Sequence, residues 1–232
     1  HVAFENCIFE AEPYADAGLR VSNASVWLRN CHATGHHSVS PISMLGNVGP
    51  CAGLLAVNSF VAAVDCEFVG GDMVPDGSFG AGDGVRSDSS SVHLVHCTAT
   101  GGGSGSSFYP NGHGLTVLGT GGTWLADVTL RGGSHPLHPT GGNALHNASA
   151  VPVHLTRVAT IPGAGTTSAG LAVFGPTVAD SALGLDAATV DARLGSPYHI
   201  DYKTDANVLI GLFLSDTLSA LPPTVTVEAT WL

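Results

Sequence analysis

The chain has 232 residues, 44% hydrophobic and only 11% charged, so it can bury a sizeable core and lacks the bias of a disordered segment. Seven Lys and Arg against 18 Asp and Glu leave a net charge of -11, which argues against charge-driven binding of nucleic acid or an anionic membrane. No stretch of about 18 apolar residues occurs, so no transmembrane helix is encoded and no membrane insertion is expected.

In chain order, the first element is a partial one. FENCIF (4–9) matches VDCEFV (64–69), the end of a later repeat, so the chain opens in mid-coil and reads as a piece of a longer precursor with an upstream signal and cap. Six stretches then repeat one pattern: AGLRVSNASVWLRNC (17–31), AGLLAVNSFVAAVDC (52–66), DGVRSDSSSVHLVHC (83–97), HGLTVLGTGGTWLADV (113–128), NALHNASAVPVHLTRV (143–158) and AGLAVFGPTVADSAL (169–183). Gly18 and Cys31, Gly53 and Cys66, and Gly84 and Cys97 keep one separation, 13 residues. Self-similarity at a period of roughly 20 to 50 residues marks a solenoid.

Within each repeat the apolar residues alternate, as in Leu19 and Val21, Leu54 and Ala56, or Val92 and Leu94, which is the period of short strands. Helical spacing is never sustained, and 31 Gly with 13 Pro leave little uninterrupted chain for helices. Two or three strands per turn, with corners at Ser22-Asn23, Arg29-Asn30 and Thr34-Gly35, describe an all-β, parallel β-helix solenoid of about six coils over residues 1–197. On these features the chain resembles the right-handed parallel β-helix proteins of the pectin-lyase-like group, over residues 1–185.

Cys7, Cys31, Cys66 and Cys97 fall at equivalent places and would stack at about 4.8 Å per coil, as an inert interior ladder that Val128 and Val158 continue. Cys51 lies outside it, in a loop. Function, if local, belongs to the variable segments 35–51, 69–82, 100–112, 131–142 and 159–168, which project from one flank. Asp72, Asp76 and Asp83 concentrate carboxylates there; calcium is the cation they would take, and solvated loop carboxylates are the plainer alternative. His36, His37, His113, His135, His138 and His146 lie in or beside the same loops. Tyr109, Asn111 and Trp124 form a candidate sugar-binding set, against mutual packing of the aromatics. Asn23-Ala24-Ser25 and Asn147-Ala148-Ser149 are formal glycosylation sequons placed at coil corners.

Gly112-His113-Gly114 is similar to the Gly-His-Gly element of polygalacturonases, and Asp83-Gly84 falls one coil earlier, so the resemblance implies Asp83 and His113 as the catalytic pair. The chain departs from that family in lacking an adjacent Asp-Asp pair and an Arg-Ile-Lys element, and glycoside hydrolysis needs two carboxyls across the scissile bond. With Lys203 the single lysine, no cationic groove for an acidic sugar is apparent. After Pro197 the repeat is lost, and residues 198–232 read as antiparallel strands that cap the last coil or pair with a neighbouring subunit. The expectation is a secreted or surface-displayed bacterial structural or adhesive protein, self-associating through its coil ends and C-terminal strands, with no required cofactor. The alternatives are a polysaccharide lyase or glycoside hydrolase and a non-catalytic glycan-binding module.

Overall fold

A computed structural model describes residues 1–12, 15–37, 51–73, 80–105, 110–135, 141–149, 151 and 153–164 with their side chains, and the backbone of strands within 171–231. A partial coil, β1 (Val2–Glu5) and β2 (Ile8–Glu10), precedes the first complete one, β3 (Ala17–Ser22), β4 (Ser25–Arg29) and β5 (His32–Thr34). The same trio recurs as β6 (Ala52–Val57), β7 (Phe60–Val64) and β8 (Glu67–Val69), then β9 (Val85–Asp88), β10 (Ser91–Val95) and β11 (Thr98–Thr100). It continues as β12 (Leu115–Leu118), β13 (Thr123–Ala126) and β14 (Thr129–Arg131), then β15 (Leu145–Asn147), β16 (Val153–Thr156) and β17 (Ala159–Ile161). Beyond these come β18 (Leu171–Val173), β19 (Thr177–Asp180), β20 (Val190–Asp191), β21 (Tyr198–Thr204), β22 (Leu212–Phe213) and β23 (Val225–Trp231).

Every third strand pairs in parallel with its equivalent in the next coil, giving sheets of seven (β1 to β19), six (β2 to β17) and eight strands (β3 to β22). The chain is therefore a parallel β-helix with three strands per turn. Among the described residues five complete trios are present, flanked by partial coils, slightly fewer than the six read from the repeats.

Stacking puts like positions in columns, and the columns explain the core. Leu54, Val85, Leu115 and Leu145 lie directly above one another, as do Leu28, Ala63, Leu94, Leu125 and Leu155. Where one column needs bulk its neighbours shrink: Phe68, fully buried, sits between Ala33 and Ala99. The cysteine ladder holds, each carbonyl from Cys7 through Cys97 accepting an amide of the following coil at 2.9 Å and Val128 continuing the series. Cys97, hydrogen-bonded to Cys66 and buried, is held firmly as the thiol.

Two corners turn on a single left-handed residue. Asn23, Asn58, Ser89 and Gly119 form one such column, and Asn6, Asn30, Asp65, His96, Asp127 and Arg157 the other. Asn, Asp and His tolerate that conformation, whereas Arg157 is strained by roughly 1–2 kcal/mol. A neighbour offsets the strain: Arg157 bonds Asp127 at 2.6 Å, and His96 stands 3.5 Å from both Asp65 and Asp127.

The third corner carries the loops and is built of glycine. The amides of Gly71, Gly82, Gly102, Gly112, Gly133, Gly142 and Gly163 bond in succession, starting on the carbonyl of Cys51, each on the carbonyl of the residue before it, at 2.8–2.9 Å. Segments leaving the six-stranded sheet thus alternate with segments returning to the eight-stranded one. A Cβ on Gly112 would overlap the carbonyl oxygen of Gly82, and one on Gly142 that of Gly112, so close backbone approach excludes every other residue there.

Two expectations need correction. β21 and β23 pair in parallel, not antiparallel, and β22 extends the eight-stranded sheet beside β20, so strands of the solenoid continue past residue 197. Asn147 is not at a corner: it lies in β15, fully buried, its Oδ1 accepting bonds from the amide (3.0 Å) and hydroxyl (2.8 Å) of Ser149. Asn23 is the exposed sequon.

Gly112→Ala is expected to destabilise the fold by about 3 kcal/mol or more, or to prevent folding, because backbone would have to move on two coils. Ala at Thr120, an exposed loop position one column away, should cost under about 0.5 kcal/mol in the same urea titration.

Candidate functional site

The Asp and His residues of the loop flank sit on either side of the glycine column. On the returning side, Ala52, Asp83, His113 and Asn143 occupy successive rungs, Ala52 as the first residue of β6 and the others just before β9, β12 and β15. Asp83 Oδ1 accepts the backbone N–H of His113 at 2.8 Å, and His113 Nδ1 accepts that of Asn143 at 2.9 Å. On the departing side, His37 Nδ1 accepts the N–H of Asp72 at 3.1 Å, Asp72 Oδ1 that of Gly103 at 2.7 Å, and Ser134 Oγ that of Ala164 at 2.7 Å. Amides at a loop base need acceptors that the sheet does not supply, and an acceptor-bearing side chain one coil below provides them.

This use fixes protonation. His113 Nδ1 accepts a hydrogen bond, so the ring is neutral and carries its proton on Nε2. Burial lowers its pKa; Asp83 opposes that and Arg86 adds to it. His146 stacks on His113 with ring centroids 4.8 Å apart and planes 8° from parallel. Burial first, and then the His113 ring, push its pKa down to about 4. The 3.4 Å approach of His37 Nδ1 to Asp72 Oδ2 is no ion pair while that nitrogen accepts the Asp72 amide.

The structure does bring Asp83 and His113 together, but through the carboxylate and the backbone amide of the histidine, not its ring. Asp72 lies across the glycine column from Asp83, and Asp76 and Tyr109 lie outside the described residues, as does His138. Among the described residues no group of three or more His, Cys, Asp or Glu is placed to hold a metal ion. Asn111 is buried and accepts the Ser104 amide on Oδ1 at 2.6 Å, so it bridges its own loop and is not displayed beside Trp124.

Trp124 belongs to a feature on another face. Rings of His1, Trp27, Phe60, His93, Trp124 and His154 follow one another along the outside of the seven-stranded sheet at centroid separations of 5.1, 5.7, 5.2, 4.5 and 5.4 Å. Trp27, Ala62, His93, Trp124 and His154 share one column, and Phe60 leans in from the next to fill the space at Ala62. His93 lies 21° and His154 2° from the indole plane of Trp124. Both faces of that ring are covered, so what remains exposed is its edge, and a sugar could stack on it only by displacing a histidine. The sequence groups Trp124 with Tyr109 and Asn111, but its neighbours are the equivalents of its own slot, where WLR, HLV, WLA and HLT recur in the repeats.

No protein-family model matches this chain, and neither a curated protein nor a solved structure matches it. What the molecule does must be argued from the β-helix itself.

Two outcomes follow. Asp83→Ala should cost about 1–3 kcal/mol by orphaning the His113 amide, while Asp83→Asn, which keeps an acceptor, should recover most of it in urea unfolding. His146 has a folded pKa below its unfolded value of 6.5, so its contribution is complete above pH 6.5 and is lost as pH falls through about 4. With allowance for solvent screening, the wild type should lose on the order of 2 kcal/mol more than His146→Gln over that window, read from urea midpoints at each pH.

Proposed function

We propose that this chain is a structural or adhesive β-helix protein of the cell exterior, of secreted bacterial type, whose coils form a scaffold and not a reaction centre. The observation that carries the reading is the use to which the loop-flank side chains are put. His37, Asp72, Asp83, His113 and Ser134 each give an acceptor atom to a backbone amide one coil above. A general base needs a free lone pair at the operating pH, and His113 has its Nδ1 committed and its Nε2 protonated. The dominance of stacking over local chemistry suits a rod that transmits shape, extending through its coil ends and C-terminal strands into an assembly.

One observation favours a second reading, a polysaccharide lyase or glycoside hydrolase of the pectin-lyase-like class. Asp83, Arg86, His113 and His146 influence one another electrostatically on a single flank, as residues of a sugar-cleaving groove would. Incubation of the wild-type chain with neutral and acidic polysaccharides, following reducing ends and the ultraviolet absorbance of unsaturated uronates, separates the two. The scaffold reading expects no turnover above a heat-inactivated control. Turnover that disappears in Asp83→Asn, with the fold intact by circular dichroism, would replace it with the enzyme reading.

A further inference from the structure

We propose that the outer face of the seven-stranded sheet is a pairing surface for a second copy of this chain. The proposal deepens the assembly reading above by naming a lateral surface, distinct from the coil ends and C-terminal strands.

The argument starts from charge. Each copy carries -11, so two copies repel unless they meet where carboxylates are few. The six-stranded sheet exposes Glu10 and Glu67, and Asp16, Asp83 and Asp88 border the eight-stranded one. On the seven-stranded sheet, strands β1, β4, β7, β10, β13 and β16 direct one carboxylate outward among the described residues, Glu5, and Arg29 lies 3.6 Å from it; Asp65 and Asp127 border the sheet at its corner, where His96 and Arg157 face them. The rest of that face is aromatic, aliphatic, imidazole or hydroxyl.

Its apolar part is laid out for contact. Trp27, Val64 and Trp124 are 42%, 38% and 41% exposed, far above the core residues directly beneath them. Because the rings stack on each other, their edges and the adjoining Val64 and Val95 form a flat strip that runs the length of the described coils. An interface depleted of charge and enriched in Trp and Phe has the composition of a contact centre. A two-fold arrangement, strip on strip, satisfies both copies with the same residues.

Size sets the strength. Five strands at about 4.8 Å, each with about five residues at about 3.3 Å, give a patch near 400 Å² per copy and about 800 Å² in total. That is below the roughly 1,200 Å² of stable complexes, so pairing is reversible and micromolar or weaker. Such a contact becomes persistent when many copies lie side by side, which links it to a surface layer or fibre.

Sedimentation velocity of the full chain at neutral pH, from about 10 µM to about 1 mM, tests this, since pairing of that strength develops across the range. The expected result is a weight-average mass that rises with concentration, the contribution of this face being the part of the rise that its variants remove. Val64→Glu, which disturbs no stacked ring, and Trp124→Arg should each weaken pairing at least tenfold, while Thr98→Arg on the six-stranded sheet should leave it unchanged. A mass fixed at the monomer would overturn the proposal, as would a dimer indifferent to Val64→Glu or one equally sensitive to Thr98→Arg. Retention of a monomeric wild type on an insoluble neutral polysaccharide, lost in Trp124→Arg, would assign the face to glycan instead. A monomer would leave the scaffold reading standing, because that rests on the loop-base bonds and is judged by polysaccharide turnover.

Discussion

The rest of the structure depends on the glycine column at the loop base. A parallel β-helix can let chain out between two of its strands only if the departing and returning segments remain within hydrogen-bonding distance of the coils on either side. Here they do so by interleaving, Gly71 to Gly82 to Gly102 and onward to Gly163, with amide and carbonyl of each glycine joining neighbours in turn. The separation is too short for a Cβ. Because this seam closes the solenoid below the loops, the segments above it can differ in length and composition without disturbing the columns of Leu and Val inside.

The chemistry of the flank follows from the same seam. Beside a backbone packed this tightly, amides on both sides fall outside the regular sheet ladder, and the side chain one coil below becomes their partner. That requirement selects Asp, His and Ser at a spacing of one coil, the same residue types that a hydrolase would place in a groove. Asp83 and His113 illustrate the ambiguity. Their proximity and types suggest catalysis, while the atoms in contact, a carboxylate oxygen and a main-chain N–H, describe a cap. The neutral His113–His146 stack, with His146 shifted down to about 4, is a consequence of burying two imidazoles on adjacent rungs.

Away from the loops, stacking has a different result. The slot occupied by Trp27, Ala62, His93, Trp124 and His154 points outward, so one outward position per coil becomes a continuous aromatic column on the surface. Its rings stabilise each other, each pair contributing about 0.5–1.5 kcal/mol beyond burial. In a chain of net charge -11 it also leaves the described strands of this face with Glu5 as their one outward carboxylate. The inward slots of the same strands, Val26, Leu28 and their equivalents, remain a conventional core.

The sequence by itself determined the all-β class, the parallel β-helix, the first two strands of each complete coil and the cysteine ladder, since a repeat of fixed phase forces like residues into like positions; it left the third strand open, and β17 lies in a segment that reads as variable loop. Asn at the early corners was legible for the same reason. What only the tertiary structure decided were matters of contact between coils: that paired glycines at 70–71, 101–102 and 132–133 form a seam and not slack loop ends, that Asp72 and Asp83 cap amides on opposite sides of it, that Asn147 points inward, and that β21 and β23 run parallel. One-dimensional periodicity fixes which residues stack. It does not contain the direction of a side chain's lone pair or the distance between two backbones, and those set what each residue does.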